Sequence, residues 1–154
     1  MPGPAPTKQV SKTKPESREA RLKRGRDQRV QLSRKVLGQV HTQKRAFDPV
    51  DLLLKSAQGR RPQLLPVKYA RMRVSPFAFF RGSVPIMAAD LASGPHSGLL
   101  AQLCGDAHLQ NMGSFEGPDG RLIFDINDFD ETMEGPWEWD VKRMGASIVL
   151  AGFE

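Results

Sequence analysis

The residues able to do chemistry gather between Cys104 and Glu131: Cys-Gly-Asp-Ala-His-Leu-Gln-Asn, a short bridge, then Phe-Asp-Ile-Asn-Asp-Phe-Asp-Glu. Asp106 and Asn111 stand five apart, and Asp125, Asp128, Asp130 and Glu131 follow beyond a turn. Carboxylates repel one another and lose hydration when buried together, so such a cluster is costly unless a cation sits among it. The order of parts is that of a phosphoryl-transfer catalytic loop followed by its metal-binding aspartate. Asp106, at the end of an apolar run and on a tight glycine turn at Gly105, is placed to orient a hydroxyl or water and accept its proton. Asn111 offers a neutral amide oxygen and Asp128 an anionic one. Mg²⁺ takes a few such oxygens and keeps its remaining sites for water and phosphates, and its charge would relieve the repulsion in the cluster.

Several roles stay open at this level. Asp125 competes with Asp128 for the metal; three apart on one straight strand they would face opposite ways, and Asp128 is preferred because Phe129 follows it. Asp130, Glu131 and Glu134 also fit a solvated acidic loop, Glu134 best of all. His108 is a candidate for the catalytic centre, as a base, a ligand or a residue that orients the loop. No second histidine lies at i+4, and His41 and His96 sit in plain contexts, so a zinc site is disfavoured and the orienting role preferred. Arg81, beside Gly82, either holds a phosphate of a nucleotide bidentately or pairs with an acid of the cluster. Cys104 reads as a small buried apolar residue.

The elements that must position these groups can be traced along the chain. Asp48-Pro49-Val50-Asp51 is a helix start, with Asp48 as cap, Pro49 in the first turn and Asp51 at the positive dipole end; Gly59 suits a left-handed stop. Residues 64–73 mix apolar and basic positions without a clean period. Ser75-Pro76 opens a second helix through Phe77-Ala78-Phe79-Phe80, three aromatics expected in the core. Val84 to Leu91 reads as a short helix. Leu99 to Cys104 reads as a buried strand. Gly117-Pro118-Asp119-Gly120 is a turn, and Arg121 to Ile126 a strand. Gly135-Pro136 reads as a break. From Trp137 a helix follows, with Val141, Met144, Ile148 and Ala151 expected on its buried face. No internal repeat is visible.

The net charge of +6 conceals an asymmetry. Residues 1–46 hold 13 Lys/Arg against 3 Asp/Glu, and residues 47–154 hold 10 against 14, so a basic arm precedes a mildly acidic body. Residues 1–16, rich in Pro, Lys, Ser and Thr, are expected to be disordered, and residues 17–40 to form at most a surface helix. The arm could bind nucleic acid or an anionic lipid, but no aromatic is interleaved to stack on bases, and a solvated charged leader is preferred. No run approaches the roughly 18 apolar residues of a membrane span, and the start has no secretory signal. A single cysteine makes no internal disulfide and fits a reducing compartment, so a cytoplasmic location is expected.

Four segments carry a family resemblance: Ser-Pro-Phe-Ala-Phe-Phe-Arg-Gly at 75–82, Gly-Asp-Ala-His-Leu-Gln-Asn at 105–111, Phe-Asp-Ile-Asn-Asp-Phe-Asp-Glu-Thr at 124–132, and Gly-Pro-Trp-Glu-Trp-Asp-Val-Lys-Arg at 135–143. Over residues 47–154 the chain resembles the domain of unknown function 2252 family, mostly bacterial, for which no activity is settled. More loosely, Gly105–Asn111 resembles the catalytic loop of aminoglycoside-phosphotransferase-like kinases. That likeness implies Asp106 as base, Asn111 and the Asp128 segment as metal ligands, and Asp140 as the aspartate that steadies the loop backbone, with Gly105 a second structural support. The chain departs from that kinase pattern in having no Gly-rich phosphate loop and no strand lysine before the catalytic loop; the resemblance to the domain of unknown function 2252 family implies that a Gly-rich segment and a lysine-bearing strand lie downstream, making this chain an N-terminal part of a longer, rearranged kinase-like domain.

The expectation is therefore an α+β chain: a basic arm over 1–46, disordered or helical, and the catalytic-loop portion of a kinase-like domain over 47–154. The expected function is Mg²⁺-dependent phosphoryl or nucleotidyl transfer from ATP or another nucleotide to an unknown acceptor, with this portion inactive alone if the nucleotide cradle is elsewhere. A metal-dependent hydrolase using the same acids, and a non-catalytic binding module with a basic arm, are the alternatives.

Overall fold

The computed structural model describes residues 16–39 and 45–154. The disorder expected over residues 1–16 therefore lies almost wholly outside the described residues. Among the described residues, seven α-helices and four short strands follow in the order α1 (Arg18–Gln31), α2 (Arg34–Leu37), α3 (Pro49–Ser56), α4 (Leu65–Met72), α5 (Pro76–Gly82), α6 (Val84–Ala92), β1 (Leu100–Leu103), β2 (Met112–Glu116), β3 (Leu122–Ile126), β4 (Met133–Pro136) and α7 (Glu138–Ala151). The chain is thus mixed α+β. No described helix is long and apolar enough to cross a membrane.

Local chemistry sets several helix ends. Ser17 caps α1 through Ala20 N–H, Asp48 caps α3 through Val50 N–H, and Ser75 caps α5 through Ala78 N–H. Pro49 and Pro76 occupy first-turn positions, where a missing N–H costs nothing. Gly59 turns left-handed just beyond α3, at φ 77°. Helix α1 buries no residue, which agrees with a surface helix. Within residues 64–73, Leu65–Met72 form α4 despite the irregular pattern: Met72 is its one buried residue, inserted against Gly82 of α5, with Leu65, Lys68 and Tyr69 half-buried on the same face.

The strands form two separate antiparallel pairs. β2 and β3 make a hairpin with Met112 opposite Ile126 and Glu116 opposite Leu122, closed by the expected turn, where Gly117 N–H donates to Arg121 C=O at 2.8 Å and Gly120 sits at φ 75°. β1 pairs with β4, Leu100 opposite Pro136 and Leu103 opposite Met133. Two expectations fail here. Gly135-Pro136 does not break the chain but ends β4, with Pro136 at the edge of the pair, where its absent N–H breaks no ladder. And β1 is not a buried strand: Leu100 is 59% exposed, and only Leu103 and the following Cys104 are buried. A two-stranded sheet has no further strand or helix to cover its outer positions, so apolar composition alone does not bury them.

The core lies where α5 and α6 pack against α7. Phe77, Phe80, Ile86, Leu103, Cys104 and Ala107 fill it. Phe79, by contrast, is exposed, because three aromatics in four helical positions cannot share one face. The expected apolar face of α7 holds only in part. Met144 and Ala151 are half-buried, Val141 and Ile148 are exposed, and Glu138, Arg143 and Ser147 are the buried residues of the helix. Its inner face is polar because it meets the backbone and carboxylate of the 104–109 loop rather than a hydrophobic layer.

Candidate active site

The loop from Cys104 to Asn111 leaves β1 by a sharp turn at Gly105, whose φ is +84°. A side chain there would both strain the backbone and collide with the Glu131 carbonyl oxygen, so the close approach of the two acidic segments requires glycine. Helix α7 then holds the loop at three successive points along one face. The Asp140 carboxylate accepts Cys104 N–H at 2.6 Å and Gly105 N–H at 3.1 Å. The Arg143 guanidinium grips Asp106 Oδ1 through Nε at 3.0 Å and Nη2 at 2.5 Å. Ser147 Oγ accepts Leu109 N–H at 3.1 Å and donates to Met144 C=O at 2.7 Å. Residues 140, 143 and 147 recur at helical spacing, so one face of one helix positions the whole loop.

Arg143 is buried, at 3% exposure. Its Nη2 also donates to Phe80 C=O at 3.1 Å, and its guanidinium carbon lies 4.1 Å from the centre of the Phe80 ring. Its charge is therefore matched by Asp106, by a carbonyl and by an aromatic face at once. Asp106 remains about a quarter exposed, with Oδ2 turned towards His108 Nε2 at 3.5 Å. His108 is buried edge-on to Phe77, and its Nδ1 has no partner among the described residues. Burial pushes its pKa below the usual 6.5; the Asp106 charge opposes this, while Arg81 and Arg143 add to it. A neutral imidazole against Asp106 is the consequence.

Asn111 closes the other side. Its Nδ2 donates to Asp106 C=O at 3.3 Å and Asp128 C=O at 3.0 Å, and its own C=O accepts Asn127 N–H at 2.9 Å. The amide nitrogen thus ties the loop to the acidic segment. Asp128 Oδ1 accepts Asp130 N–H at 2.9 Å. Cys104, almost fully buried, meets Asp128 C=O through sulfur at 3.6 Å, and its thiol pKa is raised first by burial and then by Asp140. That is the inert apolar role its sequence context suggests.

A cavity of about 370 Å³ opens between these groups, walled by Asp106, His108, Asn111, Asp128, Asp130 and Arg81 among others. The structure thus brings together five of the candidates read from the sequence: Asp106, His108, Asn111, Asp128 and Arg81. Asp125 lies outside the cavity wall, on β3 opposite Gly113, with Oδ1 bonded to Ile126 N–H at 2.8 Å. Arg81 pairs with no acid among the described residues: its Nη1 donates to Gln110 Oε1 at 2.6 Å. A neutral partner orients the guanidinium without cancelling its charge. Among the described residues no three His, Cys, Asp or Glu side chains come close enough to hold a metal by themselves.

A family model described as an uncharacterized protein conserved in bacteria (DUF2252) matches residues 60–154. The chain belongs to the DUF2252 family. The match takes in α4 to α7, all four strands and every residue of the cavity wall, and leaves out α1 to α3. No curated protein and no solved structure matches this DUF2252 chain. Sequence reasoning missed three residues of its site: Arg143, Ser147 and Gln110. The first two carried a signal, since Asp140, Arg143 and Ser147 form a polar line on a helix otherwise read for its apolar positions. Gln110 carried none, being one polar residue in a polar loop.

Proposed function

We propose that the cavity around Asp106 is a Mg²⁺-dependent phosphoryl-transfer site in a kinase-like arrangement, acting on a nucleotide such as ATP and a hydroxyl-bearing acceptor. The observation that supports it best is the meeting of Asp106, Asn111 and Asp128 on one cavity wall with a charged, unneutralised Arg81 on the same cavity. The donor set fits the ion. Asn111 spends only its amide nitrogen on the backbone and Asp128 spends one carboxylate oxygen, which leaves an amide oxygen and a carboxylate oxygen for a cation. Two such ligands, short of a closed cage, suit a magnesium ion that completes its shell with water and phosphate oxygens. Bound there, the ion would neutralise charge on the transferring phosphoryl group.

The residues have separable tasks. Asp106, fixed by Arg143 at one oxygen, presents the other towards the cavity to orient the acceptor hydroxyl and take its proton. His108, neutral and buried, limits the rotation of that carboxylate. Arg81 holds a phosphate oxygen, and Asp140 keeps the turn at Cys104–Gly105 rigid, as positioning rather than contact. The test is thermal melting of the chain with and without Mg²⁺ and ATP, followed by product analysis. A ligand at a hundredfold excess over Kd adds about 2.7 kcal/mol, so an upward shift is expected, and a smaller one in Asp128→Ala. Equal melting with and without ligand in the wild type and in Asp128→Ala, together with no phosphorylated product, would discard this assignment.

A further inference from the structure

A second cavity, of about 150 Å³, lies behind the loop. Its walls are largely apolar, from Val84, Met87 and Leu91 on α6, Leu103 on β1 and Trp139 on α7, with Arg143 among the lining residues. Arg143 carries five N–H donors. Nε and Nη2 are engaged with Asp106 and Phe80 C=O, but Nη1 meets only the Met87 sulfur, at 3.5 Å. A thioether is a weak acceptor. Met87 itself lines the cavity, so a buried cationic amino group lacking an oxygen partner stands at its wall.

We propose that this cavity binds a small, uncharged molecule with an apolar body and one carbonyl-type oxygen, which accepts from Arg143 Nη1. The volume is roughly that of an apolar protein cavity able to hold one benzene ring. The choice of an uncharged head follows from the surroundings. Asp140 and Glu131 line the same cavity and Asp106 already balances Arg143, so a carboxylate would meet a negative setting, whereas a carbonyl oxygen satisfies the donor without adding charge. The site shares Glu131 with the wall of the first cavity but draws its other lining residues from elsewhere, and it holds whether or not the phosphoryl-transfer assignment does. Occupancy reaches Asp106 through a single guanidinium, so the ligand and the loop share one contact.

The test is fluorine NMR of the full chain with three probes: para-fluoroacetophenone, fluorobenzene and para-fluorobenzoate. Saturable binding of the ketone, roughly tenfold tighter than fluorobenzene as one hydrogen bond to a charged donor implies, and weaker binding of the benzoate, are expected. Ala88→Leu or Leu91→Phe, which fill the cavity, should abolish ketone binding while the chain still melts cooperatively. Should both variants fail to fold, the comparison of the three probes on the wild type decides. Equal binding of all three probes, no saturable binding up to the solubility limit, or ketone binding that survives in a folded cavity-filled variant would overturn the proposal.

Discussion

Replacing Arg143 with Met removes the guanidinium that holds Asp106 while nearly preserving side-chain volume. Breaking a buried ion pair from one side costs about 3–5 kcal/mol. The Asp106 side chain is 25% exposed, so water recovers part of that loss; the Phe80 carbonyl, however, also loses its donor. The net expectation is about 3 kcal/mol, or a fall of roughly 6–12 °C in Tm for a chain of this size. Arg143→Lys should lose about half as much, because an ammonium keeps the charge but cannot reproduce the planar grip on Asp106 Oδ1 and Phe80 C=O together. Chemical denaturation of the wild type, Arg143→Met, Asp106→Asn and the double variant closes a cycle, and a coupling of about 1–3 kcal/mol is expected for residues in one network. A loss under about 1 kcal/mol in Arg143→Met, or a coupling indistinguishable from zero, would refute the view that α7 positions the loop through this pair.

Further tests address the neighbouring contacts. Asp140→Ala leaves two backbone N–H groups without their charged acceptor and should cost about 3–5 kcal/mol, while Asp140→Asn, which keeps one acceptor oxygen, should cost about half; denaturant midpoints measure both. Gly105→Ala forces a left-handed backbone, about 1–2 kcal/mol by itself, and pushes on Glu131 C=O, so its loss in the same assay should exceed that figure. His108 has a folded pKa below 6.5, so on acidification from about pH 7 the unfolded chain takes up the proton first and stability falls through the window below 6.5. Unfolding free energies between about pH 7.5 and 5.5 should show that slope, and His108→Gln should flatten it. Asp128→Ala should leave the unliganded melt within about 1 kcal/mol of the wild type, since its backbone carbonyl, not its carboxylate, holds Asn111; a larger loss would assign the side chain a structural role.

What the sequence revealed and what it hid divide along a physical line. Caps and turns are local, so Asp48, Ser75 and the Gly117–Gly120 turn were legible from a few residues each. The acids of the cavity were legible because their chemistry restricts their spacing. Burial was not, because it depends on what lies opposite. Leu99–Cys104 has the composition of an interior strand, yet its strand pairs only with β4 and leaves Leu100, Ala101 and Gln102 exposed. The three aromatics of α5 likewise share a composition but not a direction.

Helix α7 shows why the misread periodicity and the anchoring of the loop have one source. An amphipathic pattern predicts an apolar stripe turned inward because water is the usual alternative. Here the partner of the inner face is a loop with exposed backbone N–H groups and a carboxylate, and a hydrophobic stripe would leave those groups unpaired at a cost of about 1–3 kcal/mol each. Asp140, Arg143 and Ser147 supply one matching group to each demand: an acceptor for two amides, a cation for Asp106, and a hydroxyl for Leu109 N–H. The same substitution of polar for apolar contacts that spoils the periodicity also fixes the Asp106 carboxylate in place. A polar line at i, i+3 and i+7 on a helix that follows a Gly-Asp loop is therefore better read as the loop's scaffold than as a solvent face, and in this chain it names Arg143, which grips Asp106 of the first cavity and itself lines the second.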